Sequence, residues 1–156
     1  MTRVGLIADT HGLLRPEIAA VFAGVDLILH AGDVGGHGVL AGLRTIAPVE
    51  AVYGNVDDPS DPSLRAARLV TLDGVSIHVS HGHELGHPTP ELALSRYAAD
   101  VVVFGHTHKA VVTRAVRGRL AVNPGAAGPR RFKLEPSVAR LTIDGGRADV
   151  EIISIP

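Results

Sequence analysis

Apolar and polar positions fall in blocks along the first third of the chain. Val4-Gly5-Leu6-Ile7-Ala8 is an apolar run that stops at Asp9-Thr10-His11-Gly12, the pattern of a buried strand that empties into a polar loop. Pro16 suits the first turn of a helix, with Ile18, Ala19 and Phe22 on its apolar face and Gly24 as its stop. Asp26 to His30 predicts a second buried strand, followed by Ala31-Gly32-Asp33. Gly35 and Gly36 make a loop, and His37 to Ile46 reads as a helix that ends before Pro48. Val49 to Tyr53 is a third strand, closed by Gly54-Asn55. Strand and helix alternate, which predicts a parallel sheet with crossover helices.

Beyond this point the pattern changes. Asp57 to Pro62 is a loop. Ala67–Leu72 and Val75–Ser80 flank Asp73-Gly74, the strongest short signal for a hairpin. Pro88 and Pro90 precede a helix over about Glu91 to Ala98, and Val101 to Phe104 is a buried strand that runs into Gly105-His106-Thr107-His108. Alternating segments follow at Val111–Val116, Leu120–Val122, Val138–Ile143 and Ala148–Ile153, with turns at Gly118 and Gly145-Gly146. This half reads as mostly antiparallel. No repeat, linker or low-complexity segment interrupts the 156 residues, so one domain over 1–156 is expected.

Composition narrows the chemistry. Cysteine is absent, which excludes disulfides, thiolate zinc sites and a cysteine nucleophile. Two Tyr, three Phe and no Trp leave almost no platform for stacking bases, which argues against a nucleic-acid partner. The net charge of −1 gives no reason to expect a membrane or polyanion partner either. Charge is unevenly spread, however. Residues 109–140 hold eight Lys or Arg against Glu135 alone, so that stretch is +7 and the remainder −8. It is either a solvated basic face or an anion-attracting rim. No run of 18 apolar residues is present, and Val4–Ala8 is too short for the core of a signal peptide, so a cytoplasmic location is expected.

The polar residues that close the apolar runs carry the chemistry. They are Asp9 and His11, Asp33, Asn55, His81, then His106 and His108, each within about three residues of a predicted strand end. Gly12, Gly32, Gly54, Gly82 and Gly105 stand beside them and permit close backbone approach. Three carboxylate or amide oxygens with four imidazoles suit divalent Mn, Fe, Ni, Co or Zn. Seven ligands are too many for one ion, but with Asp33 shared they divide into two sets of four. Two adjacent cations can clamp a phosphoryl group and activate a hydroxide. A lone Asp-x-His or Gly-Asp is an ordinary cap or turn. The set, in order and at successive strand ends, is not.

Asp9-Thr10-His11, Gly32-Asp33, Gly54-Asn55-Val56-Asp57, His81-Gly82-His83 and Gly105-His106-Thr107-His108 resemble the motif series of calcineurin-like metallophosphoesterases. With Asn123-Pro124-Gly125 and the short chain, the resemblance points to the small YfcE-like phosphodiesterase branch, whose fold the retromer subunit Vps29 shares. It implies an α/β four-layer αββα sandwich with two mixed sheets. It also implies a first metal on Asp9, His11, Asp33 and His108, and a second on Asp33, Asn55, His81 and His106. The implied function is hydrolysis of a small phosphodiester or nucleotide-like substrate by a hydroxide bridging two divalent ions, with Mn²⁺ first among the metals. Alternatives on the same fold are a phosphomonoesterase and a Vps29-like protein-binding scaffold, and a homo-oligomer is compatible with either.

Val56 departs from the Gly-Asn-His-Asp of many monoesterases in the superfamily. Valine can neither donate a proton nor bind a phosphate oxygen, which favours diesters and leaves the general acid open. Asp33 and Asn55 are the expected catalytic residues, with His83 as a possible phosphate contact or an orienting partner of His81. Asn55, His83, Asn123 and Arg130 are the candidate substrate contacts. Asp57 is expected to orient its neighbours rather than bind metal. His30 and His78 read as packed strand residues, His37 as a surface residue at a helix start, and His87 as loop.

Overall fold

The computed structural model describes residues 1–131 and 133–156. In chain order the strands are β1 (Thr2–Ile7), β2 (Leu27–His30), β3 (Val49–Val52), β4 (Leu64–Arg65), β5 (Ala67–Leu72), β6 (Val75–Ser80), β7 (Val101–Val103), β8 (Val111–Arg114), β9 (Leu120–Asn123), β10 (Ser137–Asp144) and β11 (Arg147–Ser154). The helices are α1 (Ile18–Val21), α2 (His37–Arg44) and α3 (Pro90–Arg96). One sheet has the order β11-β10-β1-β2-β3-β4, and the other β5-β6-β7-β9-β8.

In the first sheet, β1 to β4 run parallel, and β10 and β11 are added antiparallel beyond β1. The second sheet is also mixed. Asp73 and Gly74 take φ of 48° and 80° at the tip of the β5–β6 hairpin, as its two-residue turn requires. The expectation that the second half is mostly antiparallel fails at the centre of this sheet, where β6, β7 and β9 are parallel. Helix α3 lies between β6 and β7, so these three form a crossover unit like those at the front of the chain. Periodicity reveals that a strand exists but not which strand it joins.

Three apolar clusters define the layers. Val4, Leu6 and Leu29 of the first sheet pack against Ile77, Val101 and Val122 of the second, which forms the central core. Ile7 and Ile28, on the outer face of the first sheet, pack against Ile18, Leu40 and Leu43 of α1 and α2. Val102 and Ala121, on the outer face of the second, meet Ala93 of α3. The order is therefore helix, sheet, sheet, helix. α1 is only one turn long, shorter than the apolar pattern suggests. Its capping residue Phe22 is fully buried over Gly5, where a Cβ would lie 3.0 Å from the ring. α3 is sharply started: the Thr89 hydroxyl accepts the Leu92 N–H at 3.1 Å, and Pro90 occupies the first turn. No helix among the described residues is long and apolar enough to cross a membrane.

Candidate metal centre

The carboxyl ends of β1, β2, β3, β6 and β7 all deliver polar loops, and those of β1, β2, β6 and β7 meet at one rim of the sandwich. Asp9, His11 and His108 offer ligand atoms within 4.8 Å of one another, and Asp33, His81 and His106 do the same. Backbone geometry marks the same residues. Seven non-glycine residues among those described have positive φ, and five of them are Asp9, His11, Asp33, His106 and His108. Such conformations cost energy in L-residues and gather where a site demands them.

Each aspartate is held by one oxygen and free at the other. Asp9 Oδ2 accepts the His106 N–H at 3.1 Å, while Oδ1 lies 3.9, 3.8 and 3.5 Å from the Nε2 atoms of His11, His81 and His108. Asp33 Oδ1 accepts the Val56 N–H at 3.1 Å, while Oδ2 lies 3.7 Å from His11 Nε2 and 3.2 Å from His81 Nε2. Asp33 thus reaches one imidazole from each trio. A Cβ at Gly54 would fall 2.0 Å from Asp33 Oδ1, so only glycine lets the third strand's loop approach this carboxylate.

The donors fit a bound cation. Asp9 Oδ1, His11 Nε2 and His81 Nε2 are buried and have no hydrogen-bond partner. Unsatisfied lone pairs crowded together are costly unless a positive ion takes them up. The other nitrogen of His81, Nδ1, lies 2.8 Å from the Ala31 carbonyl, so it carries the proton and leaves the Nε2 lone pair facing the cluster.

Electrostatics follow from burial and crowding. Burial pushes the Asp9 carboxyl up to about 7, against the pull of His81. Burial also acts upward on Asp33, but the close approach of His81, the Val56 amide and His11 hold it down at about 2. Burial lowers His11 and His106, and with Arg131 and His11 it takes His108 to about 4. These imidazoles are therefore neutral, as metal binding requires. His81 is raised despite its burial, by the nearby carboxylates of Asp33 and Asp9 and by the Ala31 carbonyl. A cation and that proton compete for one lone pair.

Behind the rim a second set of bonds fixes the loops. Asp57 accepts the N–H groups of Val34 and Gly54 on Oδ2, at 3.0 and 2.9 Å, and that of Gly35 on Oδ1 at 3.1 Å. It orients the loops after β2 and β3, as expected. His30 is fully buried, its Nδ1 accepting the Gly32 N–H at 3.1 Å. The Thr10 hydroxyl donates to the Val34 carbonyl at 2.7 Å, so His30 Nε2, 3.0 Å from Thr10 Oγ1, is the donor there.

The other candidates separate. Asn55 is exposed in the turn after β3, next to the amide held on Asp33. His83 reaches the cluster, with its ring 5.4 Å from that of His81 and 6.4 Å from that of His106, and its Nδ1 is unpartnered. Asn123 is buried, and its amide is used on Gly105, Thr107 and Gly125. Arg130 and Arg131 are both exposed, and Arg131 is the one near enough for its charge to bear on Asp9, His11 and His108. Sequence reasoning missed Arg131, because two adjacent arginines in one basic stretch look alike until the chain is folded. His78 stacks on Tyr97 with ring centroids 3.8 Å apart, and His37 is a surface residue at the start of α2.

A two-sheet sandwich with carboxylates and imidazoles at its strand ends is the build of a metal-binding α/β enzyme domain. Residues 2–146 match the calcineurin-like phosphoesterase superfamily domain, and the chain belongs to that superfamily. It is 36% identical over 160 residues to a probable metallophosphoesterase of Methanothermobacter thermautotrophicus, a match that covers 96% of this chain and 91% of the relative. Among solved structures, one described as a novel archaeal phosphodiesterase superposes with a TM-score of 0.77 at 24% identity, covering 97% of this chain and 100% of that one. Vps29 of Chaetomium thermophilum gives 0.81 at 18% identity, over 98% of this chain and 97% of the other. At these identities the structural likenesses establish the fold.

Proposed function

We propose that the protein is a binuclear phosphodiesterase, with one cation held by Asp9, His11, Asp33 and His108 and the other by Asp33, Asn55, His81 and His106. The observation that carries this reading is the reach of Asp33 Oδ2 to His11 Nε2 at 3.7 Å and to His81 Nε2 at 3.2 Å. One carboxylate oxygen then serves both trios. When bound, two divalent ions supply charge neutralisation for the phosphoryl group and an activated hydroxide. Mn²⁺ is the first candidate, because carboxylate, amide and imidazole donors suit it; Fe²⁺, Co²⁺, Ni²⁺ and Zn²⁺ suit the same set.

The chain's own residues do the rest. Asp57 and the Val56 amide hold Asp33 and its loop in place. Asn55, exposed in the turn after β3 beside the amide held on Asp33, presents its amide to a metal and to the substrate phosphate. His83, with its ring 5.4 Å from that of His81 and 6.4 Å from that of His106, is the candidate donor to the departing alcohol or to phosphate. Arg131 adds positive charge on the substrate side, in the role that sequence alone gives to Arg130. Asn123 belongs to the scaffold, because its amide is fully used there.

The diester preference rests on Val56, which has an exposed apolar side chain where an imidazole would assist a monoester. The test compares kcat/KM for bis(p-nitrophenyl) phosphate and p-nitrophenyl phosphate on protein loaded with Mn²⁺. The diester is expected to be the better substrate. A monoester preference of tenfold or more, about 1.4 kcal/mol in barrier, overturns the diesterase reading. No turnover of either ester with any of the five metals favours the scaffold reading instead.

A further inference from the structure

Three arginines of the basic stretch 109–140 lie at the end of the sandwich remote from the metal rim. Arg114 closes β8, Arg119 precedes β9, and Arg117 stands in the turn between them. Arg147, the first residue of β11, joins them from the other sheet. All four line one surface cavity of about 510 Å³, together with Gly74 and Val75 at the start of β6 and Asp100 just before β7. The candidate metal ligands follow the opposite ends of β6 and β7, so catalysis as proposed above makes no use of this space.

The lining carries four guanidinia and one carboxylate. That carboxylate, Asp100, accepts the Ser76 N–H at 2.9 Å and the Ser76 hydroxyl at 3.0 Å, both on Oδ2. Arg114 and Arg147 share Asp149, which meets Arg114 Nη2 at 3.2 Å and Arg147 Nε at 3.4 Å. Among the described residues no carboxylate oxygen lies within 4.0 Å of the guanidinium of Arg117 or Arg119. Arg119 is anchored on the carbonyls of Leu94, Tyr97 and Ala99, and Arg114 on those of Gly118 and Ala148. Neutral acceptors hold a guanidinium in place without cancelling its charge. Asp73 and Asp144, on the neighbouring hairpins, are exposed and screened by water and salt. Arg117 adds a backbone observation. Its φ of 66° and ψ of 18° are left-handed, a conformation that glycine takes freely and arginine only at a cost.

We propose that this cavity binds a small multivalent anion, a chain of linked phosphates of the pyrophosphate or tripolyphosphate class. Guanidinia recognise phosphate oxygens through paired, charge-assisted hydrogen bonds. One phosphate engages one or two of them, whereas four arginines set around a single space suit several phosphates in a row. The volume agrees, because pockets that take a whole small ligand run to about 300–1,000 Å³. Val75 and Ala148 are the only apolar side chains of the lining, and no Phe, Tyr or Trp is among them, so a sugar or base adds little. At Gly74 and Gly146 a Cβ would meet nothing within 4 Å, which leaves room for the anion against bare backbone. The proposal is independent of the phosphodiesterase reading.

The test is calorimetric titration of the full chain with orthophosphate, tripolyphosphate and ATP, after a chelating resin has removed metal from the rim. Tripolyphosphate should bind about tenfold or more tighter than orthophosphate, the worth of one further charge-assisted hydrogen bond, and ATP no tighter than tripolyphosphate. In amide NMR spectra tripolyphosphate should shift Gly74, Gly118 and Gly146 and leave Gly32, Gly54 and Gly105 in place. Arg117→Gly suits the left-handed backbone and so preserves the fold. Combined with Arg147→Ser it should weaken binding about tenfold or more, with Tm and metal uptake unchanged. Arg131→Ala should bind as wild type does. Equal affinity for orthophosphate and tripolyphosphate overturns the proposal, as does binding that survives the double variant. ATP tighter by tenfold would assign recognition to the nucleoside and overturn it too. Shifts confined to the rim glycines, or loss of binding in Arg131→Ala, would place the anion at the metal rim and leave the phosphodiesterase reading standing.

Discussion

At the scale of residues, the candidate ligands are legible because their chemistry and their position in the pattern coincide: Asp9, His11, Asp33, His81, His106 and His108 each close an apolar run. What surrounds them is not legible, since it depends on contacts between distant loops. His30 is an example. Both ring nitrogens are bonded, to Gly32 and to Thr10, and burial lowers its pKa to about 3. An unfolded histidine takes up its proton near about 6.5. Below that value the unfolded state binds more protons than the folded one, so stability present above pH 6.5 is lost as the pH falls toward 3, by up to about 1.4 kcal/mol per unit. His30→Gln should cost about 1–3 kcal/mol at pH 7 through broken buried hydrogen bonds. The gap between wild type and variant should narrow at pH 5, because only the wild type carries this acid penalty. Urea denaturation of the metal-free proteins at both pH values measures it, and a gap that does not change with pH refutes the assignment.

Elements were readable in proportion to their local signals. The β5–β6 hairpin announces itself through Asp73-Gly74, whereas the two residues of β4 and the parallel partners of β7 leave no local trace. The basic stretch 109–140 is divided by the fold rather than gathered. Arg131 lies on the side of the candidate metal site, near enough for its charge to bear on Asp9, His11 and His108, while Arg119 is used at the opposite end of its strand's sheet. The Arg119 guanidinium donates to the carbonyls of Leu94, Tyr97 and Ala99, which are left open at and after the end of α3. A cation with several donors is well suited to terminal helix carbonyls. Arg119→Met keeps the aliphatic length and removes these bonds. It should destabilise the fold by about 1.5–3 kcal/mol, the usual range for hydrogen bonds to a charged group. Metal content should not change, because the site is formed at the other strand ends. Chemical denaturation and metal analysis of the same preparation separate the two effects, and loss of metal without loss of stability would contradict this placement.

For the whole molecule, the rim couples folding to metal binding. The sandwich holds two buried or half-buried carboxylates among crowded imidazoles, and the resulting cost is visible in Asp9, whose carboxyl burial raises to about 7. An unfolded chain has no such cluster, so a cation that binds it stabilises the folded state alone. At a free concentration one hundred times its dissociation constant, one bound ion contributes about 2.7 kcal/mol. In a chain of 156 residues this corresponds to a rise in Tm of roughly 5–11 °C. Chelation should reverse the rise, and added Mn²⁺ should restore it. The size of the rise should also depend on pH. Bound cations displace the protons of Asp9 and His81, and both groups hold them more tightly than their ordinary values predict. Mild acid therefore favours the protons over the metal. The rise should be clearly smaller at pH 5.5 than at pH 7.5, as measured by thermal melts with and without chelator. A Tm indifferent to chelation at pH 7.5, in protein shown to have carried metal, would mean that the ions sit elsewhere than on this rim.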